Sequence, residues 1–217
     1  MREALASIEK FASRTIVVIG DLITDEYLFG KPVRISREAP VLILSFSERE
    51  VLLGGAANAA HNVHALGARV VPIGVIGRDA AGEELTTLFR GAGISTDGIV
   101  TENGRTTPVK TRIMAGGYQA TRQQVVRLDR EPAGEPQPVT EDALLARLAA
   151  LTARLDAIVM SDYGYGTVTP FVIVRSSDRR NSSSVMRMRE PVSDQSMILR
   201  FSVVIAATPR SRPPSAA

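Results

Sequence analysis

What most restricts the fold of this chain is a pair of short, unbroken apolar runs, each closed by an aspartate. Thr15 to Gly20 reads TIVVIG and stops at Asp21; Asp156 to Ser161 reads DAIVMS and stops at Asp162. A strand with one face in water alternates apolar and polar residues. A continuous apolar run is instead covered on both faces, as in the interior of a parallel sheet. Parallel strands need a crossover between them, and the crossover is usually helical. The intervening sequence supplies it: Ala56 to Leu66, Ala80 to Phe89 and Glu141 to Leu155 have helical periodicity, the last with Thr140 placed as N-cap. Arg69 to Gly77 reads as another strand, interrupted by Pro72, and Glu3 to Phe11 as a short helix. Strand, helix, strand, helix, strand predicts an α/β fold with helices packed on the faces of a parallel sheet.

Two stretches do not fit that layering. Tyr27 to Val51 has alternating segments such as VLILSFSEREV, and Val109 to Met114 and Gln123 to Leu128 flank a turn at Gly116-Gly117. They predict a small antiparallel flap beside the main sheet. Ligands of open parallel sheets gather at the carboxyl ends of the strands. Asp21, Gly54-Gly55 and Asp162 all fall at strand ends or at a helix start, so one cleft is expected to hold them. An aspartate just past a buried strand, such as Asp21 with Asp25 four residues on, suits the hydroxyls of a polyol. It serves equally well as a cap for the next turn. In Gly54-Gly55-Ala56-Ala57-Asn58 the glycines allow close backbone approach, and the helix behind them turns its positive end outward. Asn58 lies in the first helical turn, with Asn62 one turn later on the same face. Most Gly-Gly pairs are simply turns.

Composition narrows the chemistry. The chain has no cysteine, which excludes disulfides, thiolate metal sites and a cysteine nucleophile. Its only histidines, His61 and His64, stand three apart with no third ligand beside them, the usual pattern of a solvated helix surface rather than a metal site. No apolar run reaches membrane-spanning length and no secretory signal is readable, so a cytoplasmic protein without membrane partners is expected. The net charge of +3 is unevenly placed: residues 168–217 hold eight arginines against three acidic residues, leaving the remainder at −2. A slightly acidic body with a basic tail is not a nucleic-acid groove, and the tail lacks interleaved aromatics.

The tail marks a compositional break. All 17 glycines lie at or before Gly166, and the stretch beyond has no lysine but ten serines. At average usage of about 7% it should hold about three or four glycines. Two domains are therefore read: an organised unit at 1–167, with flap segments at about 24–51 and 107–129, and an atypical Arg/Ser-rich tail at 168–217. The tail is either a natural disordered extension or the product of a coding frame lost near Thr167 to Phe171.

The spacing around Gly54-Gly55 is specific. From GGAANAA the chain runs to Gly67, then to Gly77-Arg78-Asp79 and Gly82, and this resembles the first signature of the ribokinase-like (PfkB) carbohydrate kinases. GDLITDEYLFGKPVRISREAPVLIL at 20–44, TPVKTRIMAGGYQATRQQVVRLDRE at 107–131 and VMSDYGYG at 159–166 are similar to the heptose-7-phosphate kinase branch, which supplies ADP-heptose for lipopolysaccharide core. The resemblance covers about residues 8–170. It implies a three-layer α/β sandwich truncated after its N-terminal half, a β-stranded lid often used for homodimerisation, and a sugar phosphate held between lid and sheet. By residue match it implies sugar contacts from Asp21, Gly54, Gly55 and Asn58, with Asp25 as helper. Lys110, Arg112 and Arg127 would meet the substrate's phosphate, although each also suits a solvated strand face. Tyr165 stands where the branch usually has lysine, and Thr121-Arg122 also departs from its pattern.

ATP and Mg2+ are implied as cofactors, but the segments that bind them, and the aspartate of the late GAGD motif that serves as base, have no counterpart in the sequence. The nearest string, Gly91-Ala92-Gly93-Ile94, lacks the aspartate and comes too early. Phosphoryl transfer depends on positioning, charge neutralisation and that base. Three readings follow: a heptose-phosphate kinase fragment, another ribokinase-family sugar or nucleoside kinase, or a non-catalytic sugar-binding or dimerising fragment. Its last apolar strand forms an exposed edge, so a weakly stable or aggregating product is expected. A coupled ADP-release assay on the purified chain is expected to give background rates; turnover above background would overturn that expectation.

Overall fold

The structure, a computed structural model, describes residues 9–117, 120–151 and 155–169. The Arg/Ser-rich tail and most of the 3–11 helix expectation lie outside the described residues; within them, Glu9–Ser13 forms a single 3-10 turn. The order is then β1 (Thr15–Gly20), β2 (Leu22–Ile35), β3 (Leu42–Gly54), α1 (Gly55–Ala65), β4 (Arg69–Gly77), α2 (Ala80–Gly91), β5 (Ile99–Glu102), β6 (Val109–Gly117), β7 (Ala120–Arg130), α3 (Pro138–Leu151) and β8 (Ala157–Ser161).

Four strands make a parallel sheet in the order β5-β4-β1-β8. In β1, Ile16 pairs with Val70 of β4 on one side and Ala157 of β8 on the other. The two apolar runs are thus neighbours, and the side chains of β1 alternate between two cores. Ile16 and Val18 pack with Ala56, Ala57 and Ala60 of α1 and Leu85 and Phe89 of α2. Val17 and Ile19 pack with Leu144 and Leu148 of α3. Helices therefore cover both faces, giving the expected three layers.

Pro72 does not interrupt β4. Its carbonyl points toward Gly98, where an added Cβ would lie 2.1 Å from it. In a parallel strand a residue's N–H and C=O point to the same side, so the missing N–H of Pro72 faces β5 ahead of the first paired residue, Ile99. No ladder bond is lost. Thr140 is likewise not a cap: α3 begins at Pro138, and Gln137 accepts the amides of Thr140 and Glu141. Proline at the first helical position gives up an N–H that would have no partner.

The flap is a second sheet, in the order β3-β2-β6-β7. It differs from an antiparallel flap in its centre, where β2 and β6 pair in parallel, Asp25 opposite Lys110 and Tyr27 opposite Arg112. Two antiparallel hairpins, β2–β3 and β6–β7, flank that seam. Arg49 of β3 ties this lid to the body, donating to both carboxylate oxygens of Glu84 on α2 at 2.8 Å and to Glu26 at 2.6 Å.

The approach to β6 is fixed by Asp79. Its carboxylate caps α2 by accepting from Gly82 N–H at 2.9 Å, and it accepts from the Thr107 amide at 2.8 Å and hydroxyl at 2.7 Å. Burial alone would raise the Asp79 pKa, but the bonds from Thr107 and Gly82 outweigh it and hold the carboxyl below its usual range. A depressed folded pKa means the stabilisation is complete above the unfolded value of about 3.9 and is lost as pH falls through the folded value. Asp79→Ala is expected to lower stability at neutral pH by about 1–3 kcal/mol, the cost of a cap plus an abandoned buried hydroxyl. Urea titrations of both proteins at neutral pH and near pH 3 check this: the gap between them should narrow in acid.

Candidate functional site

β1 and β8 end side by side, and beyond them the chain turns toward the lid. Asp21 is 1% exposed. Its Oδ2 accepts from the amides of Tyr163 at 2.8 Å and Tyr165 at 3.1 Å, and its Oδ1 from Thr167 N–H at 3.1 Å. The sequence leaves open a hydroxyl ligand or a cap for the next turn; the structure instead gives both oxygens to amides of the distant loop after β8. Asp162, expected in the same cleft, accepts from Gly164 N–H at 2.9 Å and braces the same loop.

The cleft itself lies between lid and body, with a volume of about 420 Å³, and is lined by Asp25, Tyr27, Leu52, Leu53, Asn58, His61, Leu88 and Ala92. Asp25 and Asn58 are thus brought together. The Gly54-Gly55 pair is explained by two different contacts. A Cβ on Gly54 would lie 2.7 Å from the Asp25 carboxylate, so the bare backbone leaves that carboxylate its room. Gly55 has φ of +55°, and a Cβ there would meet the Asp21 carbonyl at 2.6 Å. That carbonyl accepts from Ala56 N–H at 3.0 Å and so takes up one amide of the first turn of α1.

The lid face above Asp25 is set by strand register. One row reads Leu52, Asp25, Lys110, Asp129 and the next Glu50, Tyr27, Arg112, Arg127. Arg112 donates to Asp25 Oδ1 at 2.7 Å and lies over the Tyr27 ring at 5.2 Å. Arg127, one strand further out, is ion-paired with Asp129 at 2.9 Å. Lys110 is 8% exposed, and its Nζ sits 5.2 Å from the Tyr163 ring centroid and 5.8 Å from that of Tyr165. Among the described residues its ammonium has no carboxylate within ion-pair distance.

Sequence reasoning did not single out Tyr163 or Arg105 as part of this arrangement. Arg105, 8% exposed, donates to the carbonyl of Tyr165 at 2.6 Å and to that of Gly134 at 3.3 Å. Burial pushes its pKa down, against the attraction of Glu102 and Asp21. Burial, followed by the charges of Asp25 and Asp21, pushes the Tyr163 phenol up. The sequence signal for the loop is the alternation Tyr-Gly-Tyr-Gly directly after an apolar strand. Arg105 has no local signal.

A helix-covered parallel sheet with a separate β-sheet lid by the carboxyl end of β1 is the ribokinase-like architecture. Two structures of Escherichia coli phosphofructokinase-2 share it. The complex with substrates and products superposes with a TM-score of 0.55 at 15% identity, covering 76% of this chain and 50% of that one. The tetrameric inhibited form gives 0.56 at 15%, covering 76% and 52%.

Within that architecture the chain belongs to the pfkB family of carbohydrate kinases, whose sequence profile matches residues 13–163. It is 41% identical over 158 residues to the Bifunctional protein HldE of Wolinella succinogenes, covering 73% of this chain and 32% of that protein. With the protein of the same name from Geobacter sulfurreducens it shares 43% over 157 residues, covering 72% and 31%. With that of Caulobacter sp. strain K31 it shares 36% over 194 residues, covering 89% and 38%. The chain thus spans about a third of the length of these curated relatives.

Membership of the family implies use of ATP and Mg2+. Among the described residues no group of three or more His, Asp or Glu side chains converges to hold a metal, and His61 and His64 form no such group. The donors lining the cleft, Asp25, Asn58 and His61, suit hydroxyls rather than a metal-bound triphosphate. No helix among the described residues is long and apolar enough to cross a membrane.

Gly54 and Gly55 are separable by substitution. In Gly54→Ala the new methyl meets the carboxylate at the end of the Asp25 side chain, which can turn aside at the expense of its Arg112 bond, so the fold should survive with Asp25 displaced. In Gly55→Ala it meets fixed backbone at a positive φ, which should cost about 1–3 kcal/mol or more. Urea midpoints are expected to fall much further for Gly55→Ala than for Gly54→Ala.

Proposed function

We propose that this chain binds a phosphorylated sugar between lid and sheet, as the sugar-binding part of a cytoplasmic kinase that phosphorylates heptose 7-phosphate at O1 on the route to ADP-heptose. Asp25 and Asn58 take sugar hydroxyls beside Gly54 and Gly55, while Lys110, assisted by Arg112 and Arg127, takes the phosphate already on the substrate. The observation that carries this reading is Lys110: a lysine 8% exposed, facing two tyrosine rings instead of a carboxylate. A buried ammonium is costly unless compensated, and aromatic faces compensate it less than an anion does. The likeness to the HldE proteins favours a heptose phosphate over other sugars of the family. Asp25 is the better candidate than Asp21 for the hydroxyl-binding carboxylate, because it lines the cleft.

A binding fragment without turnover is the second reading, resting on a cleft whose polar lining, Asp25, Asn58 and His61, suits sugar hydroxyls. The two outer strands of the lid each expose a large apolar side chain, Phe46 on β3 at 68% and Leu128 on β7 at 63%, two separate points of contact for a second copy.

Calorimetry with heptose 7-phosphate, the unphosphorylated heptose, fructose 6-phosphate and adenosine separates the sugar readings; an ADP-release assay on the same sample separates binding from turnover. Heptose 7-phosphate should bind most tightly. Lys110→Met should weaken it about ten- to a hundredfold, the equivalent of the roughly 1.5–3 kcal/mol of a hydrogen bond to a charged group, and leave the unphosphorylated sugar unaffected. Equal loss for both ligands would remove Lys110 from the phosphate.

A further inference from the structure

The structure assigns Asp21 and Arg105 to a shared positioning role: they set the 162–167 loop so that Tyr163 and Tyr165 together form the seat of Lys110, and they do so without touching the ligand. This deepens the proposed function and rests on its placing of the phosphate at Lys110.

The loop sequence is Asp-Tyr-Gly-Tyr-Gly-Thr. Gly164 and Gly166 have φ of +81° and +90°, the left-handed region that glycine enters without strain. Left-handed residues between ordinary ones turn alternate amides the same way, which builds a concave nest for an anion. Here the anion is internal. The amides of residues 163, 165 and 167 all converge on the Asp21 carboxylate, at 2.8, 3.1 and 3.1 Å.

Asp21 is itself fixed through its backbone. Its N–H donates to Ser161 O at 3.1 Å and its carbonyl accepts from Ala56 N–H. Arg105 completes the grip from the opposite polarity, taking the Tyr165 carbonyl at 2.6 Å while spanning to Gly134. Carboxylate on the amides and guanidinium on a carbonyl leave the loop backbone little freedom.

The consequence is at the rings. Both tyrosines are displayed on the lid side, and both reach the same ammonium. Cation and ring faces attract, but more weakly than cation and phosphate. The seat therefore keeps Lys110 in place while the site is empty and yields it when an anion arrives. Arg105 has a buried Nε with no hydrogen-bond partner among the described residues, an unfavourable arrangement for a residue serving packing alone.

Inorganic phosphate and heptose 7-phosphate are the probes. The chain has no tryptophan and four tyrosines, so its near-UV spectrum reports the rings directly. Phosphate titrated into the wild-type protein should perturb the tyrosine bands, and Tyr165→Leu should reduce the change by about half. An unchanged spectrum at saturation overturns the assignment, whatever the variants do. Asp21→Asn and Arg105→Met are expected to weaken heptose 7-phosphate binding at least tenfold while the unphosphorylated heptose binds as to wild type. Asp21→Asn keeps the shape but places a donor against the amides, so if it fails to fold, Arg105→Met carries the comparison. Loss of both ligands in parallel would show a merely structural role and overturn the inference. Lys110→Met separates the two levels. If it leaves phosphate-ester binding unchanged, the proposed phosphate site has failed; if it weakens binding while both positioning variants match wild type, only the positioning role has failed.

Discussion

The carboxylate of Asp21 stands where β1 leaves the sheet, and three parts of the molecule are oriented by that residue. Its side chain collects three amides of the loop after β8, its carbonyl receives the first turn of α1, and its N–H rests on Ser161. Gly55 is required because any larger residue would strike that same carbonyl. A buried carboxylate is tolerable only when its lone pairs are satisfied, and here backbone amides satisfy them without a counter-charge in direct contact. The end of β8, the start of α1 and the loop that reaches the lid are thus tied together by one residue at the mouth of a buried strand.

The lid is attached on a different principle. Its strands leave the body through apolar roots, Leu22 of β2 within the core and Leu53 of β3 packed against it; further out its ties are polar: Arg49 with Glu84, and Thr107 at the entrance to β6 with Asp79. The body is held by two apolar cores on either side of β1. Such a division suits a binding protein, since polar contacts at a rim can be rearranged at far lower cost than a close-packed interior. The charged face of the lid is arranged by strand register alone, which places Asp25 beside Lys110 and Tyr27 beside Arg112.

The main sheet was legible because its signals are local: TIVVIG and AIVMS are both flanked by covered faces, and the period of the helices is visible over one or two turns. Pro72 and Thr140 misled for a related reason. A proline counts against a strand only if its nitrogen faces a partner, and a threonine caps a helix only if no better start stands two residues earlier. Both depend on tertiary neighbours. β5, four residues long, is too short for its pattern to register. The parallel seam in the lid was not readable, because two hairpins of alternating sequence carry no mark of which edges meet. At the site, the sequence pointed to both aspartates and to the glycine pair and put Asp21 ahead of Asp25, whereas Asp25 lines the cleft and Asp21 holds the loop, a division that only tertiary neighbours make. Arg105 stood outside any motif, and only the convergence of residues 105, 134 and 165 reveals it.

That parallel seam carries a topological consequence. Antiparallel neighbours can zip up from a turn, whereas β2 and β6 are separated in sequence by β3, α1, β4, α2 and β5. The lid therefore has no existence as a local hairpin module: its halves are brought into register only by the body that lies between them in the chain. Closing such a long loop precedes any gain from the contact it permits. Assembly of the binding surface is thus a late report on the integrity of the whole interior, and the lid cannot be lifted onto another scaffold as a single continuous segment.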